Sequence, residues 1–160
     1  DPLTGLYNRR FLMEITQQHI ARIKREGGII GFLSIDIDHF KKINDNYGHG
    51  SGDFILKKLG NLFIDNVRDS DVVCRWGGEE FLIVFLNSTG DEILTKAEKI
   101  RMIVEKTRFS YENFTMKITF SAGISLIKNG TPSMDEAINL ADKALYQAKK
   151  EGRNRIIFHD

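Results

Sequence analysis

Apolar and polar positions along this chain switch between a helical and a strand-like period, and the switches mark its elements. Residues 9–25 place Phe11, Leu12, Ile15, His19 and Ile23 near one helical face, and Gly27-Gly28 ends that helix. The apolar run over residues 29–37 reads as a strand. A short helix over residues 38–44 and a loop over residues 46–50 follow. A longer helix over residues 52–67 then buries Phe54, Ile55, Leu59, Leu62 and Phe63. Two short apolar runs, residues 72–74 and 81–86, flank Gly77-Gly78 and predict a tight two-residue hairpin. Thr89 with Glu92, and Ser133 with Glu136, form capping boxes for two further helices. The first of these runs to about residue 106, with Ile93, Ala97, Ile100 and Val104 inward. The second buries Met134, Ala137, Ile138, Ala141, Ala144, Leu145 and Ala148. A strand over residues 116–127 separates them, and residues 155–159 form a short final strand.

Strand, helices, hairpin, helix, strand is the split βαβ order, βαββαβ, an α+β fold with a mostly antiparallel central sheet flanked by helices. In that topology the third strand lies between the first and second, antiparallel to both. The carboxyl end of the first strand therefore meets the start of the third. At 160 residues the chain suits one domain with a sizeable core. It opens abruptly at Asp1-Pro2-Leu3-Thr4-Gly5, which suggests a domain excised from a longer regulated protein.

Composition removes classes rather than naming one. Hydrophobic residues at 41% and charged residues at 28% suit a soluble globular domain. A net charge of +1 gives no argument for nucleic acid. No apolar run is long enough to span a bilayer, so a membrane enters only through segments outside this sequence. Cys74 is the only cysteine, which precludes an internal disulfide and suits a reducing cytoplasm. Inside an apolar strand it reads as core filler.

The chemistry concentrates in two acidic clusters. Asp36 ends an apolar strand, where a carboxylate is costly unless it is paired or bound to metal. Glu79 and Glu80 follow the paired glycines. The split βαβ topology brings both clusters to one sheet edge, with Lys41 and Asn44 close behind Asp36. Carboxylates beside amines suit a divalent cation held together with phosphates. Asp38 reads instead as the cap of the next helix, and Lys42 as that helix's solvated face.

In its residues 1–10, 36–45, 48–53, 75–81, 121–123, 141–146 and 152–154, the chain resembles a GGDEF domain, the diguanylate cyclase family, in the spelling Gly77-Gly78-Glu79-Glu80-Phe81. The resemblance implies condensation of two GTP molecules into cyclic di-GMP with release of two pyrophosphates. It implies a transient homodimer in which each subunit holds one GTP. Asp36, the Ile37 carbonyl and Glu79, with Glu80 close by, would hold two Mg²⁺ or Mn²⁺ ions. Glu79 would accept the proton of the attacking hydroxyl, and Lys41 would stabilise phosphate charge. Phe40 would lend its backbone to the phosphates, and Lys149 and Arg153 would meet the terminal ones. Asn44 and Asp53 would read guanine, with His49 nearby. Arg68 and Asp71, spaced RxxD, would form a product-inhibition site. His19, His39 and His159 carry no argument for function.

Three rival readings remain. A degenerate domain could act as a GTP or cyclic di-GMP receptor, but degenerates lose signature acids and here Asp36, Glu79 and Glu80 stand with Lys41, Asn44 and Asp53. A mixed cyclic dinucleotide product would go with an altered Asp53. A polymerase palm shares the layout, but near-neutral charge and the lack of finger and thumb segments disfavour it.

Overall fold

The computed structural model describes residues 1–159. In chain order the elements are α1 (Arg9–Glu26), β1 (Ile29–Ile37), α2 (Phe40–Tyr47), α3 (His49–Asp65), β2 (Val72–Arg75), β3 (Glu80–Leu86), α4 (Gly90–Lys106), β4 (Phe109–Tyr111), β5 (Phe114–Met116), β6 (Phe120–Lys128), α5 (Met134–Lys150) and β7 (Ile156–Phe158). Five strands form one sheet in the order β2-β3-β1-β6-β7. As the sequence order implies, β3 lies between β1 and β2, antiparallel to both. β6 runs antiparallel to β1 on its other side, and β7 adds parallel to β6.

The two faces of the sheet bury two separate cores, because successive strand residues point to opposite sides. On one face Leu33, Ile35, Phe81, Phe85 and Phe120 pack against Ile55, Phe63, Ile93 and Ile100 of α3 and α4. On the other, Phe32, Leu82 and Val84 pack against Leu12, Ile20 and Ile23 of α1 and Ala137, Ile138 and Ala141 of α5. Helix α5 comes unusually close to β6. A Cβ on Gly123 would stand 2.2 Å from the Ala141 carbonyl oxygen, so only glycine fits there. The Ser125 hydroxyl donates to the Ala137 carbonyl in the same contact. This close seat fixes where the end of α5 falls, and that decides the geometry of the site.

Several boundaries depart from the sequence pattern. The expected strand over residues 116–127 begins only at Phe120, and an unexpected hairpin, β4–β5, precedes it. That hairpin turns at Glu112, with φ 52°, rather than at a glycine. Its aromatics pay for it by packing outward: Tyr111 meets Phe54 at 5.2 Å and Phe114 meets Tyr47 at 5.0 Å. The loop expected over residues 46–50 is almost absent, since α3 begins at His49 directly after Gly48. On α1 the buried row is Leu12, Thr16, Ile20 and Ile23. Phe11 instead lies 38% exposed and stacks on Tyr7.

Candidate functional site

The acidic edge forms where β1 and β3 meet. Asp36 stands directly opposite Glu80, and the Ile37 N–H donates to the Glu79 carbonyl at 3.3 Å. Ile30, Phe32, Ser34 and Asp36 share the sheet face that α5 covers, by strict alternation. Ser34 donates to Asp142 on α5 at 2.6 Å, and in the last turn of that helix Lys149 brings its Nζ to 3.0 Å from Asp36 Oδ1. The approach is an ion pair rather than an aligned hydrogen bond. Asp36 Oδ1 is buried with no donor in bonding geometry.

Burial pushes the Asp36 carboxyl above its ordinary value, Lys149 draws it part of the way back, and Asp38 adds repulsion. Glu79 is raised as well, first by burial and then by the negative charge of Asp36, with Lys149 opposing and Glu80 adding. Like charges face each other across a register pair, an arrangement that destabilises a sheet unless a counter-charge is supplied. Among the described residues no three acidic, histidine or cysteine side chains are clustered closely enough to cage a metal unaided. Two repelling carboxylates that share one ammonium fit a hard cation that completes its shell with phosphate oxygens.

The signature turn is wider than a two-residue hairpin. Residues 76–79 separate β2 from β3, and Trp76 and Gly77 both donate to the Glu80 carbonyl, at 2.8 and 3.2 Å. The tight turn expected there needs positive φ at its glycines, and neither Gly77 nor Gly78 has it. The smallness of Gly77 serves proximity instead. A Cβ on Gly77 would lie 2.5 Å from Glu80 Oε2, and one on Gly78 would meet nothing within 4 Å. The turn is braced from below: Arg75 donates to the Gly78 carbonyl at 2.9 Å, and the Arg9 guanidinium lies 4.0 Å from the centre of the Trp76 ring.

The chain leaves β1 straight into α2, which carries Phe40, Lys41 and Asn44. Phe40 is buried, whereas Lys41 is exposed. Asn44 lies against the first turn of α3, where a Cβ on Gly52 would fall 2.0 Å from Asn44 Oδ1. Gly52 thus lets Asn44 and the exposed Asp53 share one corner, with exposed His49 at the helix start. Gly52 was not singled out from the sequence, and its signal is visible only as steric contact.

Asp38 is not a helix cap. His39 occupies that position, with φ 56° and no side-chain capping bond. The Asp38 carboxylate is buried and turns toward β6, accepting from Ser121 Oγ and Thr119 Oγ1 at 2.6 Å each and from the Asn154 N–H at 3.0 Å. A Ser or Thr on the neighbouring strand but far along the chain gives no local sequence signal, so the capping expectation had nothing to correct it.

Arg68 and Asp71 lie elsewhere. The Asp71 side chain has no exposed surface. It accepts from the Leu86 N–H at 3.1 Å and the Arg68 N–H at 2.9 Å, with Arg68 Nε at 3.7 Å. Arg68, 45% exposed, donates to the Leu86 carbonyl and to Ser88 Oγ. Cys74 is buried in the sheet, and burial pushes its thiol up to about 11, so it is inert filler as expected.

Comparison with known proteins agrees over nearly the whole chain. Residues 1–155 match the family model described as Diguanylate cyclase, GGDEF domain. The chain is 46% identical over 157 residues to diguanylate cyclase DosC of Escherichia coli K12, covering 98% of this chain and 34% of that protein. It thus spans about a third of the length of that curated relative. The active GGEEF domain of a diguanylate cyclase from Vibrio cholerae superposes with a TM-score of 0.89 at 37% identity, over 98% of this chain and 99% of that one. The GGDEF domain of DgcB from Caulobacter crescentus, solved with c-di-GMP, superposes with a TM-score of 0.94 at 32% identity, over 99% and 94% of the two chains. With a split βαβ core, paired acids at the β1–β3 edge and a family match over residues 1–155, the chain belongs to the GGDEF family, the diguanylate cyclase domains.

Proposed function

We propose that this chain is a diguanylate cyclase that joins two GTP molecules into cyclic di-GMP and releases two pyrophosphates. The observation that carries the reading is Asp36: a buried carboxylate at a strand end, opposite Glu80, with one oxygen lacking an aligned donor. Such a carboxylate is costly to bury unless it is paired or bound to metal. Lys149, at 3.0 Å, is its charge partner, and the repulsion between Asp36 and Glu79 stays in place beside it. Asp36 and Glu79 would hold a divalent cation, with the Ile37 carbonyl and Glu80 beside them. Bound there, such a cation neutralises phosphate charge and lowers the pKa of the attacking 3′-hydroxyl.

The chain's own groups divide the remaining work. Glu79, already raised by burial and by Asp36, is disposed to take up the hydroxyl proton. Lys41 offsets charge on the α-phosphate, and the backbone at Phe40 turns around the phosphates. Lys149 and Arg153 would meet the terminal phosphates, and Lys149, now paired with Asp36, would be free to reach a phosphate oxygen if Asp36 held a cation. Asp53 accepts from the guanine N1–H and amine edge, and Asn44 bonds the remaining edge, with His49 at the rim. One GTP per subunit makes the catalytic unit a transient homodimer. Arg68 offers a reachable guanidinium for feedback by product, while Asp71 holds its backbone.

The test is incubation of the purified chain with GTP and Mg²⁺, identification of the product by mass, and a dilution series. Cyclic di-GMP formed with a specific activity that falls on dilution is the expected result. Binding of GTP without turnover at any concentration makes the chain a receptor instead.

A further inference from the structure

The turn that follows α5 holds three successive residues at positive φ: Gly152 at 122°, Arg153 at 65° and Asn154 at 47°. No other stretch among the described residues holds so many in a row. An arginine in that region is uncommon and persists only where its surroundings over-determine it. The surroundings do so here from two sides. From the sheet, buried Asp38 accepts the Asn154 N–H at 3.0 Å while Ser121 and Thr119 hold the carboxylate in place. From the helix layer, the Asn154 amide donates to Glu105 Oε2 at 2.5 Å and accepts from Arg101 at 2.9 Å. Arg101 is itself fixed by Glu98 at 3.0 Å.

Strand β7 does not need this clamp. It is held to β6 by its own register, and the Arg155 carbonyl accepts from the Ala122 N–H at 3.0 Å. What the clamp does fix is the residue before Asn154. Arg153 is exposed, and its positive charge acts on Asp36 across the site. Its N–H bonds back to the Ala148 carbonyl at 3.0 Å, so the same turn also anchors the helix end that carries Lys149.

We infer that Asp38 and Asn154 are positioning residues for phosphate recognition: their hydrogen bonds lock the turn that presents Arg153, and with it Lys149, to the terminal phosphates of the nucleotide. The inference rests on the proposed role of Lys149 and Arg153 as the phosphate pair. Neither Asp38 nor Asn154 touches substrate; both act through Arg153.

The experiment is steady-state kinetics with GTP and Mg²⁺, with GTP and GMP binding measured alongside, on Asn154→Gly, Asp38→Ala, Asp38→Asn and Arg153→Ala. Glycine keeps the left-handed backbone and removes only the tie to α4. Asn154→Gly should raise KM for GTP about tenfold with kcat changed less than about twofold, the pattern of lost ground-state binding. Affinity for GMP, which lacks the terminal phosphates, should not change. Asp38→Ala should behave like Asn154→Gly, and Asp38→Asn should recover the native KM, because its amide oxygen still accepts the Asn154 N–H. Arg153→Ala should raise KM alone and add little to Asn154→Gly, as expected for coupled residues. If Asp38→Ala does not fold, Asn154→Gly, on a partly exposed turn, carries the test. A raised KM in Arg153→Ala with native KM in Asn154→Gly overturns the positioning role and leaves the phosphate pair standing. Native KM in Arg153→Ala removes the phosphate reading and the inference with it. A lower Tm and kcat at native KM would make the clamp structural only and also overturn it.

Discussion

The two ends of β3 hold carboxylates in opposite circumstances. At its start, Glu80 faces Asp36 across the register, and Asp36 keeps a buried oxygen without an aligned donor. At its end, about 20 Å away at the usual rise of a strand, Asp71 is equally buried and fully served. One of its oxygens accepts from Leu86, the other from Arg68, and Arg68 and Lys96 stand at ion-pair distance. The fold could satisfy a buried carboxylate, and did so where the acid closes a loop. At the acidic edge a single ammonium, Lys149, serves Asp36, and the repulsion between Asp36 and Glu79 stays in place. Such local conflict is costly, and it concentrates at functional sites.

The comparison breaks most sharply at Glu79. Glu79→Ala should abolish cyclic di-GMP formation, a loss on the order of several kcal/mol in transition-state stabilisation. Glu79→Gln should be as inactive, yet melt at or above the native temperature in metal-free buffer, because it removes repulsion with Asp36 and Glu80. Product assay and thermal melting check both halves. Near-native turnover would defeat the metal assignment, and a marked drop in Tm would mean that the acid is structural.

Asp71 should give the reverse. Asp71→Ala strands the buried Leu86 N–H and should cost about 1–3 kcal/mol of stability by denaturant titration. Arg68→Ala should weaken cyclic di-GMP binding and relieve inhibition, since alanine offers no planar fork to phosphate or base. Equal affinity for cyclic di-GMP in native and Arg68→Ala protein would reduce the RxxD corner to structure alone.

The smallest effect is in pH. Asp36 and Glu79 have folded-state values raised above the ordinary carboxylate range. Their contribution to stability is therefore most favourable below the unfolded values and is lost as pH rises through the raised ones. Cation binding needs the ionised forms, so the rise in Tm caused by Mg²⁺ should be larger at about pH 8 than at about pH 5. Glu79→Gln should flatten that dependence. A Mg²⁺ shift independent of pH in the native chain would place the cation elsewhere.

The sheet and its helices were legible because their signals are local. The apolar run of β1, the capping boxes at Thr89 and Ser133, and the burial of α5 each sit within a few residues. The β4–β5 hairpin was not legible, since its turn at Glu112 carries no glycine and its aromatics find partners on α2 and α3, more than fifty residues earlier in the chain. The width of the Gly77-Gly78 turn was misread for a related reason. Paired glycines announce freedom of backbone, while Gly77 serves here for closeness to the Glu80 carboxylate.

By itself the sequence determined which residues carry charge and in what order, and through the βαββαβ order it determined that Asp36 and Glu79 share an edge. Periodicity and topology are enough for that, because strand order follows from which elements can pair. Only the tertiary structure decided which of the acids are satisfied. Asp36, Asp38 and Asp71 are all buried aspartates, and apart from Arg68 beside Asp71 the groups that serve them lie far away in the chain. Asp38 finds donors on β6 and in the turn after α5, Asp71 finds Leu86 across the sheet edge, and Asp36 finds only Lys149. Hydrogen bonding is short-ranged and directional, so whether a buried charge is at rest or waiting for a ligand is settled by groups that the chain brings together from far apart.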